Sequence, residues 1–155
     1  MKYFTMELLY PSYNNMTDQE YETNDKIWMD NLTTYWKKFG EYENRLPIRF
    51  VKEYRKHAFH DYSINSINYY NNGTKRIDSS NVELKISFDN NKFLIRYIGV
   101  TAYNICANNL NNISECAFLY SEILQVDDKK MSHEIIFEGK NTAYIEFKKI
   151  MFKRL

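Results

Sequence analysis

The spacing of apolar residues changes at Phe59–Asp61, and this change constrains the fold more than any other feature of the chain. Before it, apolar residues recur at steps of three and four, which is typical of amphipathic helices; after it they alternate, which is typical of strands. We therefore predict a helical layer over residues 1–58 and a mainly antiparallel sheet over residues 59–155. Antiparallel pairing is favoured because no helix-length crossover separates the later strands.

Two helices are predicted before the junction. Thr17 and Glu20 have capping-box spacing, in which each side chain accepts a hydrogen bond from the other residue's backbone N–H at a helix start. An aromatic stripe at helical spacing then predicts a buried face, and Gly40 is the predicted helix end. The stripe consists of Tyr21, Trp28, Leu32, Tyr35, Trp36 and Phe39. A second helix begins at Pro47 and ends near His57, whereas Tyr3–Tyr10 fits either a short helix or an opening strand.

The alternating half of the sequence predicts five to seven strands. Turn residues at Asn71–Gly73 and Asp89–Asn91 indicate hairpins, and a slip of the alternation at Lys148–Lys149 indicates a bulge. A chain of 155 residues suits a single domain. The predicted fold class is therefore α+β, with the N-terminal helices packed on one face of a mostly antiparallel sheet.

Composition excludes several classes of protein. Lys and Arg number 21 against 20 Asp and Glu, and nucleic-acid binders concentrate positive charge, so we predict no nucleic-acid partner. No apolar run approaches the roughly 18 residues of a membrane span, and no signal-peptide pattern follows Met1. Cys106 and Cys116 lack C-x-x-C spacing, which fits free thiols in a reducing compartment. We expect a cytoplasmic protein without membrane contact.

The junction also contains the pattern H-x-x-H-D, formed by His57, His60 and Asp61. If helical geometry continued through it, these three side chains would share a face and could ligate zinc. The spacing differs from that of metalloproteases, and a structural reading is favoured, in which Asp61 accepts backbone N–H groups at the turn. We predict no metal and no cofactor, and retain the three residues only as alternative ligands.

Isolated charges in two apolar strands supply the remaining candidates. Arg96 and Glu122 each stand alone in a strand that is otherwise apolar on both faces. A charge in such a strand either reaches solvent on an open face or pairs, because a buried unpaired charge would cost several kcal/mol. Our hypothesis is that the two pair with each other, or that either pairs with the His60–Asp61 corner. Tyr120, two residues from Glu122, completes a set of binding candidates. The sequence has no nucleophile-elbow or Gly-rich phosphate motif, and no catalytic residue is predicted.

The chain resembles a bacterial domain family of unknown function. Three segments carry the resemblance, which extends over nearly the whole chain. Members of the family begin M-K-Y-F-T-K-E-L, carry L-H-D-S before their sheet, and contain W-L-Y-x-E-I; the matching segments are Met1–Thr5, Phe59–Ser63 and Phe118–Ile123. This chain departs from the family at Phe59 for Leu, at Tyr62 and Ser63 where Ser follows Asp directly, and at Phe118 for Trp. The resemblance implies the same architecture and highlights His60, Asp61 and Glu122, without naming a reaction.

Three functional hypotheses follow. The first is a non-enzymatic protein-binding module of an immunity or regulatory kind, because short H-D motifs before antiparallel sheets are similar to those of some immunity proteins. The second is a metal-dependent or acid–base enzyme centred on His60, Asp61 and Glu122. The third is a binder of carbohydrates or small ligands through exposed tyrosines. A homo-oligomer is compatible with each of them.

Overall fold

The computed structural model describes residues 1–9, 16–71, 80–106 and 116–155, and its secondary structure confirms the predicted α+β class. The helices are α1 (Met6–Leu9), α2 (Asp18–Tyr42) and α3 (Ile48–His57), with a 3₁₀ turn at Glu43–Arg45. The strands are β1 (Ser63–Asn71), β2 (Ser80–Phe88), β3 (Asn91–Ile98), β4 (Ala102–Cys106), β5 (Phe118–Gln125), β6 (Met131–Phe137), β7 (Asn141–Phe147) and β8 (Lys149–Arg154). The predicted turn at Asn71–Gly73 lies largely outside the described residues.

The described parts of the chain contain eight strands in two antiparallel sheets, ordered β1-β2-β3-β8 and β4-β7-β6-β5, rather than five to seven strands in one sheet. The extra strands arise because two long strands, β3–β4 and β7–β8, each bend and continue from one sheet into the other. They stay side by side through the bend. At the bend, the Lys148 N–H donates to the Ile98 carbonyl (3.1 Å) and the Thr101 N–H donates to the Glu146 carbonyl (2.9 Å). The predicted slip at Lys148–Lys149 coincides with this change of sheet.

The two sheets meet a second time beside the junction. Ser63 forms an isolated antiparallel bridge with Ala117, and the Phe118 N–H donates to the Tyr62 carbonyl (2.8 Å). Because β1 and β5 start against each other here, the sheets curl around a shared aromatic core. Its largest fully buried side chains include Phe4, Tyr35, Phe39, Phe50, Tyr54, Phe59, Tyr62, Tyr97, Phe118 and Phe147.

The helix signals are largely confirmed. Thr17 and Glu20 form the capping box, and α3 follows Pro47 and ends at His57. Helix α2 continues past Gly40 to Tyr42, because its last turn runs into the 3₁₀ turn without a left-handed residue. The segment left open in the sequence contains the short helix α1. Among the described residues, no helix is long and apolar enough to cross a membrane.

Three tyrosines of the helical layer hydrogen-bond to the outer edge of β5. The Tyr35 hydroxyl accepts from the Ile123 N–H (2.9 Å), and the Tyr42 hydroxyl donates to the Ile123 carbonyl (2.8 Å). The Tyr54 hydroxyl donates to the Ser121 carbonyl (2.9 Å). Burial raises the pKa of all three hydroxyls, so they stay protonated. Unpaired edge groups attract other chains, and these tyrosines satisfy them on β5.

Helix α3 ends in a left-handed turn that contains no glycine. Ala58, Phe59 and Asp61 have φ values of 51°, 61° and 66°, and a Cβ in this region costs about 1–2 kcal/mol. Replacing Ala58 with glycine removes that cost but adds unfolded-state entropy, so we expect the free energy of unfolding to rise by about 0.5–1 kcal/mol in urea denaturation. Ala102→Gly, in the exposed strand β4, is the control and should lower it. Destabilisation by both changes would contradict the expectation.

Candidate functional site

Glu122 is fully buried on β5, where the N-terminal residues cross the sheet. Its Oε1 accepts the backbone N–H groups of Tyr3 (2.7 Å) and Phe4 (2.6 Å), and its Oε2 accepts that of Lys2 (2.8 Å). We call Met1–Phe4 the N-terminal strap. The isolated carboxylate that the sequence highlighted is therefore satisfied by backbone amides of its own chain.

Aromatic packing holds the strap against the sheet and α2. The Phe4 ring contacts Trp28, Tyr35 and Tyr120 at centroid distances of 5.0, 5.4 and 5.7 Å. The Asn31 side chain donates to the Tyr3 carbonyl (2.9 Å). Because the strap covers Glu122, the carboxylate could act as an acid or base on a substrate only after the strap had left.

Arg96 does not pair with Glu122 or with the junction, so that expectation was wrong. Its guanidinium binds Glu83, the residue directly opposite on β2, with Nε and Nη2 at 2.6 and 2.5 Å from Oε1. The Tyr70 hydroxyl donates to the same carboxylate (3.1 Å). Arg96 and Glu122 lie in different sheets, and the cross-strand neighbour supplied the counter-charge.

His60 and Asp61 pair with each other at the surface. The distance from His60 Nδ1 to Asp61 Oδ2 is 3.0 Å, with side-chain exposures of 39% and 67%. The backbone N–H of Asp61, rather than its carboxylate, joins the turn to β5 by donating to the Phe118 carbonyl (2.9 Å). The predicted capping by the Asp61 carboxylate is therefore replaced by an exposed contact between the two side chains.

The potential metal ligands are not gathered into one group. The His57 ring lies against Tyr62 and Phe88, with centroids at 5.5 and 5.4 Å, whereas the His60 ring contacts Tyr120 at 5.4 Å. In residues 1–9, 16–71, 80–106 and 116–155, no three His, Cys, Asp or Glu side chains are placed to hold a metal ion.

Tyr120 connects the junction with a pocket on α2. A cavity of about 180 Å³ is bounded by Leu8, Leu9, Tyr21, Asn24, Asp25, Trp28 and Tyr120, and we call it the aromatic pocket. The Trp28 and Tyr120 rings meet edge to face, with centroids 4.4 Å apart and planes at 71°. Tyr21 is 56% exposed, so the buried stripe predicted for α2 is confirmed at Tyr35 and Phe39 and wrong at Tyr21.

The N-terminal half of α2, Asp18–Asp30, has no buried residue. It carries five carboxylates against one lysine, and none of the five forms an ion pair within the described parts of the chain; they are Asp18, Glu20, Glu22, Asp25 and Asp30. Tyr21, Ile27 and Met29 are exposed among them. We call this segment the acidic half of α2.

The charges of the acidic half are visible in the sequence, but basic and acidic residues balance when they are counted over residues 1–58, and this balance concealed the segment. The rest of α2 and α3 carry the opposite charge, with seven basic residues between positions 37 and 56 against three acidic ones. Those three carboxylates pair with Lys38, Arg55 and Lys56. A count in windows of one helix half would have found the segregation.

Two exposed tyrosines, one on β1 and one on β4, stack against each other. The rings of Tyr69 and Tyr103 are 5.8 Å apart and nearly parallel, at 12°, with exposures of 52% and 38%. They border an open depression of about 250 Å³ together with Val100, Thr101 and Ala102. Tyr69 and Tyr103 are therefore exposed tyrosines of the kind that the third hypothesis requires.

No family model matches this chain, and no curated protein sequence matches it. Membership of the family that it resembles therefore stays a prediction. Function is argued below from the geometry of the protein itself.

Proposed function

We propose that this protein is a cytoplasmic, non-enzymatic protein-binding module, of an immunity or regulatory kind, that binds a basic surface of its partner through the acidic half of α2. The observation that carries the proposal is the combination in this segment of carboxylates without an ion-pair partner among the described residues, exposed apolar side chains and the absence of any buried residue. Electrostatic complementarity of this type speeds association and selects partners.

The exposed apolar residues strengthen the argument. Tyr21, Ile27 and Met29 are exposed within nine residues of one helix, and aromatic residues and methionine are enriched at protein interfaces. The carboxylates are interspersed with these apolar side chains along the same segment. A basic partner surface would match both components.

The enzyme alternative has less support. Its three residues are divided between a buried carboxylate held by the strap and an exposed pair of side chains, His60 and Asp61, at the junction. General acid–base chemistry needs the group within hydrogen-bond reach of a substrate, and the strap occupies that position at Glu122.

The test is charge reversal on the acidic half. Glu22 and Asp30 are exposed and take no part in the capping box, so Glu22→Lys/Asp30→Lys should fold normally. Tagged wild-type protein is used to capture partners from lysate of the source cells, and a captured partner is purified. We expect the double variant to bind it about tenfold more weakly in calorimetry, because two interfacial charge pairs become repulsive. The affinity of the wild type should fall with added salt.

Glu41→Lys/Asp128→Lys is the matched control, because it makes the same change of charge at exposed positions outside the acidic half. It should bind the partner within twofold of the wild type. Equal affinity of the partner for both double variants, or a partner whose binding face is acidic, would refute the proposal.

The stacked pair Tyr69 and Tyr103 favours a second candidate function, the binding of carbohydrates or other ring-bearing small ligands. Two exposed, nearly parallel rings offer apolar faces on which a sugar ring can lie. We expect Tyr69→Ala to abolish any carbohydrate binding seen on a glycan array, while Tyr21→Ala, a similarly exposed tyrosine elsewhere, has no effect. Retention of binding by Tyr69→Ala would exclude this site.

A further inference from the structure

The aromatic pocket combines three aromatic side chains with a single carboxylate among its described residues. Trp28 and Tyr120 meet nearly at right angles and form two walls, Tyr21 lies two helical turns before Trp28, and Asp25 lies on the same side of α2. Among the described residues, no lysine or arginine borders the cavity. Aromatic faces carry negative electrostatic potential, so these walls and the carboxylate all favour a positive charge between them.

The volume limits what can enter. Pockets for whole drug-sized molecules span roughly 300–1,000 Å³, whereas this one has about 180 Å³. It therefore suits a single head group or side-chain terminus. Its described polar groups are the Asp25 carboxylate, the Asn24 amide, the hydroxyls of Tyr21 and Tyr120 and the indole N–H of Trp28, and the rest of the lining is ring and leucine surface. A methylated ammonium presents fewer N–H donors and more apolar surface, and it costs less to desolvate.

We propose that the aromatic pocket binds a quaternary or methylated ammonium group, supplied by a methylated lysine side chain of the basic partner. The rings of Trp28, Tyr21 and Tyr120 would surround the methyl groups, and Asp25 would neutralise the charge. The identity of the donor as a partner side chain rests on the proposed function, since the acidic half of α2 itself forms one side of the pocket. The chemistry of the pocket itself does not depend on it.

The test compares three probes by calorimetry and by NMR shifts of the α2 amides. These are choline, a peptide containing trimethyl-lysine, and 3,3-dimethylbutan-1-ol, which has the shape of choline without its charge. We expect the two cations to bind, with the neutral isostere at least about tenfold weaker, because cation–π and carboxylate attraction are lost. Equal binding of choline and the neutral isostere, or no binding of any probe, would overturn the inference.

Variants assign the binding to this pocket. Tyr21→Ala and Asp25→Asn change exposed side chains, which makes loss of folding an inadequate explanation for their effects. Each should weaken binding of trimethyl-lysine peptide several-fold, and Tyr103→Ala, at the other exposed ring site, should leave it unchanged. Wild-type affinity in both pocket variants would overturn the assignment. Tighter binding of the peptide than of choline supports a partner side chain, and equal binding refutes that part.

The two proposals can fail separately. Glu22→Lys/Asp30→Lys leaves all residues that border the pocket in place, so it should reduce partner binding more than choline binding. If choline binds but the partner is insensitive to charge reversal, the proposed function fails and the pocket chemistry stands. If the partner requires the acidic half but neither cation binds, only the inference about the pocket fails.

Discussion

Replacing Glu122 with glutamine is expected to lower the free energy of unfolding by about 3 kcal/mol, because an ionised acceptor buried under three backbone donors is lost. Glutamine has nearly the same shape, but its NH₂ group would face N–H groups of the strap, which consists of Met1–Phe4. Hydrogen exchange should therefore show faster exchange at the amides of Lys2, Tyr3 and Phe4. Urea denaturation measures the loss of stability.

Glu83→Gln is the control for this experiment. Glu83 also lies on a strand and accepts several hydrogen bonds, but its partners are the half-exposed Arg96 and the Tyr70 hydroxyl. Removing this partly exposed ion pair should cost about 1 kcal/mol. If the two substitutions destabilise the protein equally, or if the amides of the strap keep their protection in Glu122→Gln, Glu122 does not anchor the strap.

Acidification from pH 7 to pH 5 is expected to lower the free energy of unfolding by about 2 kcal/mol through His133 alone. The residue is fully buried, and burial lowers the pKa of its imidazole to about 3, against 6.5 in the unfolded chain. Below pH 6.5 the imidazole binds a proton in the unfolded state but stays neutral in the folded state. This destabilisation grows as the pH falls towards 3 and is absent well above 6.5.

The contacts of His133 suggest a variant whose pH dependence can be compared with that of the wild type. Its Nδ1 shares a hydrogen bond of 2.6 Å with the Tyr97 hydroxyl, and its Nε2 has no hydrogen-bond partner among the described residues. His133→Leu/Tyr97→Phe removes both polar partners, a change that is close to neutral when shape is kept. We expect this double variant to match the wild type at pH 7 and to be about 2 kcal/mol less sensitive at pH 5. The same pH dependence in both proteins would contradict the assignment.

Local physics explains what could be predicted about the fold. The capping box at Thr17, the start of α3 at Pro47 and the hairpin at Asp89–Asn91 each depend on a few neighbouring residues, and the structure contains all of them. The strand around Arg96 is apolar on both faces, which is typical of an inner strand, and β3 lies between β2 and β8. These features need no knowledge of what lies elsewhere in the chain.

The candidate site was less accessible to sequence analysis. Glu122 was selected correctly as an unusual buried charge, but its partners are amides about 120 positions earlier, and amides leave no mark in the sequence. Tyr120 was selected as its neighbour, and its contact with Trp28 depends on how α2 crosses β5. The charges of the acidic half of α2 could be read from the sequence. That this segment is exposed follows only from the structure, in which the buried residues of α2 begin at Tyr35.

The sequence by itself determined the α+β class, the order of helices before strands and most helix boundaries, because these follow from short-range periodicity and capping. Only the tertiary structure decided that long strands bend into two sheets, that Glu83 rather than Glu122 neutralises Arg96, and that the strap covers Glu122. Such pairings depend on which strands become neighbours. Which strands become neighbours depends on how the whole core is buried, so it cannot be read from any single segment of the chain.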